Sequence, residues 1–249
     1  MTKTLRSFML AACVAAVPLA HAAEGEVHLD KAPLQFDQAS LANGAKLFIN
    51  YCLNCHGASS LRYNKLEEIG LTEDQIRDNL LFTADKVGDQ MKVALRREDG
   101  KAWFGAAPPD LTLIARARAS EAGSGPDWLY TYLRKFYRDD ARPTGWNNLV
   151  FPNVGMPHVL WELQGEQAPK VVTKDGHQPE IEGLELVKPG KMSSDEYDEN
   201  IADLVSFITW MGEPAQESRK TIGWFVLAVL ALLAVLVYLV KRSFWKDVH

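Results

Sequence analysis

Two cysteines and a histidine stand at a spacing that predicts covalent cofactor chemistry. Cys52-Leu53-Asn54-Cys55-His56 has the form C-x-x-C-H, which is the attachment signature of c-type haem. Two thiols at this spacing can each add to one vinyl group of the porphyrin, and the next side chain then lies under the ring, where its nitrogen can bind the iron. The motif therefore predicts one covalently bound haem c, held by Cys52 and Cys55, with His56 as an axial ligand.

The same cysteines could instead form a redox-active thiol pair or half of a zinc site. Zinc would need further Cys or His residues at motif spacing, and the only other cysteine, Cys13, lies near the N-terminus. A thiol pair does not require the histidine that follows, and histidine makes up only 6 of the 249 residues. The motif therefore favours haem over both alternatives.

The second axial ligand is harder to assign, because four methionines follow the N-terminal segment: Met91, Met156, Met192 and Met211. Most methionines simply fill cores. Met156 lies in the Pro-, Asn- and Gly-containing loop 151–157, a constrained segment that could present its sulfur to the open face of a haem. Position and chemistry favour Met156, and the alternatives are His158, another methionine or an open coordination position.

Hydrophobic periodicity predicts a mainly α fold around these residues. A helix over 39–51 runs directly into the cysteines, and Gly44 on its apolar face indicates close approach of another helix. Further helices are predicted at 71–84, at 111–119 with Asp110 as the cap, at 128–136 and at 193–211. A loop is predicted over 139–157, and a small hairpin pairs 171–173 with 185–187 around Asp175-Gly176.

Both ends of the chain carry membrane signals. Lys3 and Arg6, the apolar run 8–20 and Ala20-His21-Ala22 predict a secretory signal peptide cleaved after Ala22. A second apolar run, 222–240, would span roughly 28 Å as a helix, close to the thickness of a bilayer core of about 30 Å.

Three basic residues, Lys241, Arg242 and Lys246, follow that run and favour a cytoplasmic C-terminus. We therefore predict a signal peptide (1–22), a periplasmic single-haem cytochrome c-type domain with loop insertions (23–220), one transmembrane helix (221–240) in the bacterial inner membrane, and a cytoplasmic tail (241–249).

Charge limits the classes of partner. The formal net charge is −5, and segment 23–220 alone carries 22 basic and 31 acidic side chains, or about −9. Nucleic-acid binding needs a basic footprint, so no nucleic-acid partner is expected. An acidic domain favours a basic partner by electrostatic steering.

With these features in place, the sequence closely resembles the cytochrome c1 family, the haem-c subunits of quinol–cytochrome c oxidoreductase (cytochrome bc1) complexes. The resemblance covers nearly the whole mature chain and is carried by these landmarks: Cys52 to His56, Pro108-Pro109-Asp110-Leu111, Arg116-Ala117-Arg118, Gly155-Met156-Pro157, an acidic-start helix ending at Trp210, and the C-terminal apolar run with its basic tail. The chain departs from some relatives in having no cysteines beyond the haem pair after Cys13, and region 57–107 carries no landmark.

The resemblance implies Met156 as the sixth ligand and places Arg118 near a haem propionate. The alternative for Arg118 is an exposed helix face. The resemblance also suggests that a carbonyl of the Pro108-Pro109 turn accepts the Nδ1–H of His56, because iron-binding histidines are commonly oriented in this way.

The function that the resemblance implies is electron transfer without any enzymatic activity of the chain on its own. Electrons would pass from a Rieske iron–sulfur protein, in a complex with cytochrome b, to a soluble or anchored cytochrome c. The alternatives are an anchored haem enzyme or sensor with an open sixth position, and an anchored electron shuttle outside such a complex.

Overall fold

The computed structural model describes residues 28–173 and 180–247. The predicted signal peptide (1–22) and the predicted Asp175-Gly176 turn lie outside these residues. Within the described ranges the fold is mainly α, with three small two-stranded antiparallel sheets and a long C-terminal helix. The predicted fold class is confirmed.

The first helix leads into the cysteine motif. Helix α1 (Gln38–Leu47) begins after Asp37, whose carboxylate accepts hydrogen bonds from the N–H groups of Ala39 and Ser40. It continues into a wider π-type turn, Phe48–Cys52, closed by a 3.0 Å hydrogen bond from the N–H of Leu53 to the Phe48 carbonyl. Turns of this kind are frequent at functional sites.

Helix α1 packs against the last helix of the core, which we call α7 (Ser194–Gly212). The α7 helix begins after Ser193, whose hydroxyl accepts the N–H of Glu196. A β-carbon at Gly44 would collide with the carbonyl oxygen of Asp203, so only glycine allows this approach. The prediction that Gly44 allows a neighbouring helix to come close is confirmed.

The segments between α1 and the next core helix are short. They are β1 (Ala58–Arg62), a 3₁₀ segment (Tyr63–Ile69), α2 (Glu73–Asn79), β2 (Gln90–Met91), α3 (Arg97–Phe104) and α4 (Ile114–Ala117). Helix α2 begins after Thr72, which forms a capping box with Gln75. It ends at Asn79, so the predicted helix 71–84 was too long.

The prediction that Asp110 caps a helix over 111–119 was wrong. Helix α4 is a single turn whose N-cap is Leu113, with no side-chain cap hydrogen bond. The Asp110 carboxylate instead binds Ser59 and Thr112. These four hydrogen bonds occupy both carboxylate oxygens, so neither oxygen is left to cap the start of α4.

The middle of the chain forms a helix, two sheets and a connecting turn. Helix α5 (Gly125–Arg134) starts with a capping box between Ser124 and Asp127. It is followed by β3 (Phe136–Arg138), β4 (Trp146–Asn148), α6 (Trp161–Gln164), β5 (Gly165–Val172) and β6 (Glu180–Pro189). Strand β4 lies inside the predicted loop 139–157 and pairs with β3. The β5–β6 hairpin is longer than predicted. These strands are stabilised by hydrogen bonds to a partner strand, which the hydrophobic periodicity of a single segment does not reveal.

The chain ends in a single long helix. Helix α8 (Gln216–Phe244) contains the predicted transmembrane segment 221–240, and its stretch Ser218–Phe244 is long and apolar enough to cross a membrane. Its apolar side chains are exposed along their length, whereas the buried core of the described residues runs from Ala32 to Met211. The composition and exposure of α8 fit a membrane anchor.

Candidate haem-binding site

One cavity of about 310 Å³ brings together the site residues predicted from the sequence. It lies between the end of the π-type turn, the segment before α4, helix α5 and the loop before α6. The predicted residues on its wall are Cys52, Cys55, His56, Pro108, Pro109, Arg118 and Met156. Residues more than 100 positions apart in the sequence therefore share a single site.

The two cysteines lie at the end of the first helix. Cys52 is buried, Cys55 is half-buried, and they are not joined by a disulfide. Burial and the neighbouring Cys55 raise the pKa of the Cys52 thiol to about 12, and burial also raises the pKa of Cys55. Redox-active Cys-x-x-Cys motifs depend on a lowered pKa, so this environment does not resemble that of a thiol redox pair.

His56 is oriented by a backbone carbonyl. Its Nδ1–H donates to the carbonyl oxygen of Pro109 at 2.8 Å, which leaves Nε2 as the nitrogen available to a metal. Burial lowers the pKa of His56, although the Pro109 carbonyl and the charge of Asp110 oppose that shift. The imidazole is therefore kept neutral, as an iron ligand must be.

The Met156 loop is tied down by side chains that bind its backbone. Asn148 accepts the N–H groups of Val150 and Phe151 through its side-chain oxygen at 2.8 and 3.2 Å. Further along the loop, Arg142 donates to the carbonyl oxygen of Asn153 at 2.9 Å. The loop is therefore held in place without regular secondary structure.

A second asparagine strengthens this support. The side-chain oxygen of Asn147 accepts the N–H of Asn153 at 2.8 Å, and Asn153 adopts a positive φ of 62°, which asparagine tolerates better than most residues. The sequence signal for this structure is the run of Asn, Pro and Gly, but the run does not reveal which partners each amide chooses.

Tyr132 is a site residue that sequence reasoning missed. Its hydroxyl donates to the Met156 Sδ at 3.3 Å, its ring stacks on Trp128 at 4.7 Å, and burial raises its pKa. The spacing of aromatic residues at Trp128, Tyr132 and Phe136, four apart on one helical face, was the available signal. That spacing is also typical of a plain core face.

The other candidates for the sixth ligand lie elsewhere in the described structure. Met91 and Met211 are buried in the core, and Met192 packs against its edge. His158 is buried and stacked on Phe136, with ring centroids 4.8 Å apart, and burial lowers its pKa to about 4. Of these residues and Met156, only Met156 lines the cavity.

Arg118 brings a cation to the wall of the cavity. Its guanidinium carbon lies 4.4 Å from the ring centroid of Trp128 and 5.6 Å from that of Phe151. These aromatic faces hold the side chain in position, whereas its neighbour Arg116 is exposed. A positive group at an otherwise apolar cavity suits a ligand that carries carboxylates.

The chemistry of these donors fits a covalently attached haem c. The wall offers two unbridged thiols, a neutral imidazole with a fixed tautomer, a thioether and one guanidinium, and it is otherwise lined mainly by apolar side chains. A macrocycle with two vinyl groups, two axial positions and two propionates needs donors of these kinds.

Comparisons with known proteins show which family the chain resembles. The sequence matches the Cytochrome C1 family over residues 28–184 and 187–248. It is 46% identical over 252 residues to cytochrome c1 of Allochromatium vinosum, covering 98% of this chain and 100% of that protein. It is 27% identical over 246 residues to cytochrome c1 of Rhodospirillum rubrum, covering 86% of this chain and 84% of the relative.

A further relative carries a different name. The ammonia monooxygenase gamma subunit of Nitrosomonas europaea is 46% identical over 243 residues, covering 97% of this chain and 98% of that protein. The family match spans nearly all of the described residues, including the cavity and the C-terminal helix. On this match the chain belongs to the cytochrome c1 family, the membrane-anchored haem-bearing electron-transfer subunits of cytochrome bc1 complexes.

Proposed function

We propose that this chain carries one haem c, attached through Cys52 and Cys55 and ligated by His56 and Met156, and that it passes electrons from a Rieske iron–sulfur protein to a mobile cytochrome c. The observation that carries the proposal is the single cavity whose wall contains all four of these residues. When bound, the haem supplies a one-electron couple, and a histidine–thioether ligand pair raises its potential.

The protein's own residues provide attachment and orientation. Cys52 and Cys55 would hold the haem covalently, and the Pro109 carbonyl sets the tautomer of His56. The Asn147, Asn148 and Arg142 contacts hold the loop that carries Met156. Arg118 stands at the cavity wall, where it would bind a propionate.

We place the haem domain (23–220) on the periplasmic side of the inner membrane, with segment 1–22 removed as a signal peptide. Segment 221–240 would then cross the membrane and 241–249 would lie in the cytoplasm. Support comes from the apolar, exposed helix α8, with Lys241 and Arg242 in its last turn. Cytochrome b and the Rieske protein are the proposed membrane partners.

Replacement of the sixth ligand tests the central claim. We expect Met156→Leu to keep its haem, because both cysteines remain, but to lose sulfur ligation, so that the potential falls and carbon monoxide binds readily. Met192→Leu and Met211→Leu are matched controls outside the cavity and should retain the wild-type spectrum. A low-spin, high-potential haem in Met156→Leu would contradict the assignment.

The same experiment separates electron transfer from the alternative of a haem enzyme or sensor. Such a protein needs an open coordination position in its wild-type state, so wild-type protein that binds carbon monoxide readily would favour it. Isolation in mild detergent tests the complex: a b-type cytochrome and an iron–sulfur protein should accompany this chain. Recovery of the chain alone, with quinol oxidation intact in its absence, would favour an independent shuttle.

A further inference from the structure

We propose that Asp110 is a positioning residue, which holds the Pro109 carbonyl against the Nδ1–H of His56 and thereby sets the haem potential. The inference rests on the proposed function, in which His56 is an iron ligand. The side-chain hydrogen bonds of Asp110 go to Ser59 and Thr112, and Asp110 is absent from the cavity lining. It acts through the residue beside it.

The Asp110 carboxylate is saturated by two residues. Its Oδ2 accepts the N–H of Ser59 at 2.8 Å and the Ser59 hydroxyl at 2.6 Å. Its Oδ1 accepts the N–H of Thr112 at 2.9 Å and the Thr112 hydroxyl at 2.5 Å. We call this set of contacts among Asp110, Ser59 and Thr112 the Asp110 clamp. Four donors at one carboxylate match the number that its two oxygens can accept.

The Asp110 clamp joins the two segments that meet at the axial histidine. Ser59 follows His56 by three residues, and Asp110 directly follows Pro109. A further 2.8 Å hydrogen bond runs from the N–H of Leu111 to the carbonyl of Gly57. His56 donates and Pro109 accepts the 2.8 Å hydrogen bond between them. Each of these two residues therefore lies close to further hydrogen bonds that join the two segments.

Gly57 shows how closely the two segments pack. A β-carbon at this position would lie 3.2 Å from the Asp110 Oδ2, tighter than ordinary van der Waals contact. A larger residue would push the carboxylate away from the histidine segment. The close packing and the hydrogen bonds therefore both fix the distance between the segment that carries His56 and the segment that carries Pro109 and Asp110.

The charge of Asp110 acts in the same direction as its hydrogen bonds. Burial opposes ionisation of Asp110, but the hydrogen bonds from Ser59 and Thr112 outweigh it and lower its pKa. The carboxylate is therefore ionised near neutral pH, and its negative charge lies on the residue next to Pro109, whose carbonyl binds His56. A stronger Nδ1–H bond and a nearby negative charge both stabilise the more positive, oxidised state of a bound iron.

Asparagine cannot reproduce the clamp. Its side chain has one accepting corner, and its NH₂ corner would face the backbone N–H of either Ser59 or Thr112, which can only donate. Asp110→Asn therefore removes the charge and leaves one backbone donor unpaired. Ser59→Ala is milder, because it removes one hydroxyl donor and keeps the charge.

The test uses the full-length holoprotein and two measurements, the midpoint potential and the exchange rate of the His56 Nδ1–H by NMR. We expect Asp110→Asn to raise the potential and to accelerate that exchange about fivefold to tenfold, as for loss of a typical hydrogen bond. Ser59→Ala should shift both in the same direction but by less. Asp140→Asn removes an exposed acid elsewhere and should change neither.

Either of two results for Asp110→Asn would overturn the proposal. A raised potential with wild-type exchange in Asp110→Asn would show that Asp110 acts by charge alone, and no change in either quantity would show that it has no such role. If Asp110→Asn fails to assemble, Ser59→Ala decides: unchanged exchange there overturns the proposal. Wild-type protein without an iron-shifted His56 signal would instead refute the proposed function, so the two failures are distinguishable.

Discussion

Gly155 and the backbone carbonyl of Phe104 pack so closely that a β-carbon on Gly155 would collide with the oxygen. Phe104 ends helix α3, and Gly155 precedes Met156 in the loop held by Asn147, Asn148 and Arg142. Both Phe104 and Met156 lie on the cavity wall. The glycine therefore fixes how near the Met156 loop comes to the opposite side of the site.

We expect Gly155→Ala to displace this loop and weaken the proposed sulfur–iron bond, with a loss of stability of about 1–3 kcal/mol from overpacking. The absorption band of sulfur ligation should diminish and carbon monoxide binding should increase. Gly183→Ala is the matched control, because a β-carbon at Gly183 has no atom within 4 Å. Identical spectra for the two variants would show that the contact does not position Met156.

Tyr132→Phe tests the hydrogen bond at the sulfur. The Tyr132 hydroxyl donates a hydrogen bond to the Met156 Sδ, with 3.3 Å between the oxygen and the sulfur. The partial positive charge of its hydrogen disfavours the oxidised iron, so removal of the hydroxyl should lower the midpoint potential while sulfur ligation remains. Tyr130→Phe on the same helix is the control, because Tyr130 is absent from the cavity lining. An unchanged potential in Tyr132→Phe would mean that the bond has no influence on the iron.

Removal of the anchor should leave the haem site intact. The described core ends at Met211, and no residue of the stretch Ser218–Phe244 lines the cavity. A chain that stops before Ser218, with the N-terminal segment retained, should yield a soluble protein with covalent haem and an unchanged absorption spectrum. Recovery of apoprotein, or a shifted spectrum, would show that helix α8 contributes to the site.

Electron delivery to a basic acceptor should depend steeply on salt. Segment 23–220 carries about −9 by residue count, and the screening length falls from about 30 Å at 0.01 M to about 10 Å at 0.1 M salt. The bimolecular rate constant, measured by stopped flow across that range, should therefore decrease. A flat rate would indicate that the acidic residues only solvate the surface.

The local parts of the site could be predicted from the sequence because their chemistry depends on short-range spacing. Cys52, Cys55 and His56 are neighbours in the chain, so a rigid ligand specifies all three in one motif. Ser193 lies at a predicted helix start that its own side chain stabilises, whereas the helix predicted over 128–136 begins earlier, after Ser124. The apolar run 222–240 could likewise be predicted to form a membrane-spanning helix from its length and composition alone.

The choice of Met156 over the other candidates needed the tertiary structure. Residue properties alone left Met91, Met192, Met211 and His158 open. The fold separates them from Met156 because Met91, Met211 and His158 are buried away from the cavity and Met192 packs at the edge of the core. The predicted role of Asp110 as a helix cap was wrong because one carboxylate oxygen accepts two hydrogen bonds from Ser59, which lies 51 residues away, and the other accepts two from Thr112.

By itself, the sequence determined the covalent motif, the mainly α class and the apolar C-terminal helix, since each depends on contacts within a few residues. Only the tertiary structure decided that Pro109 faces His56, that Tyr132 reaches Met156 and that strand β4 forms within a predicted loop. Those contacts join residues from 8 to 53 positions apart in the chain, and hydrogen bonds between such residues form only where the whole core brings their backbones together.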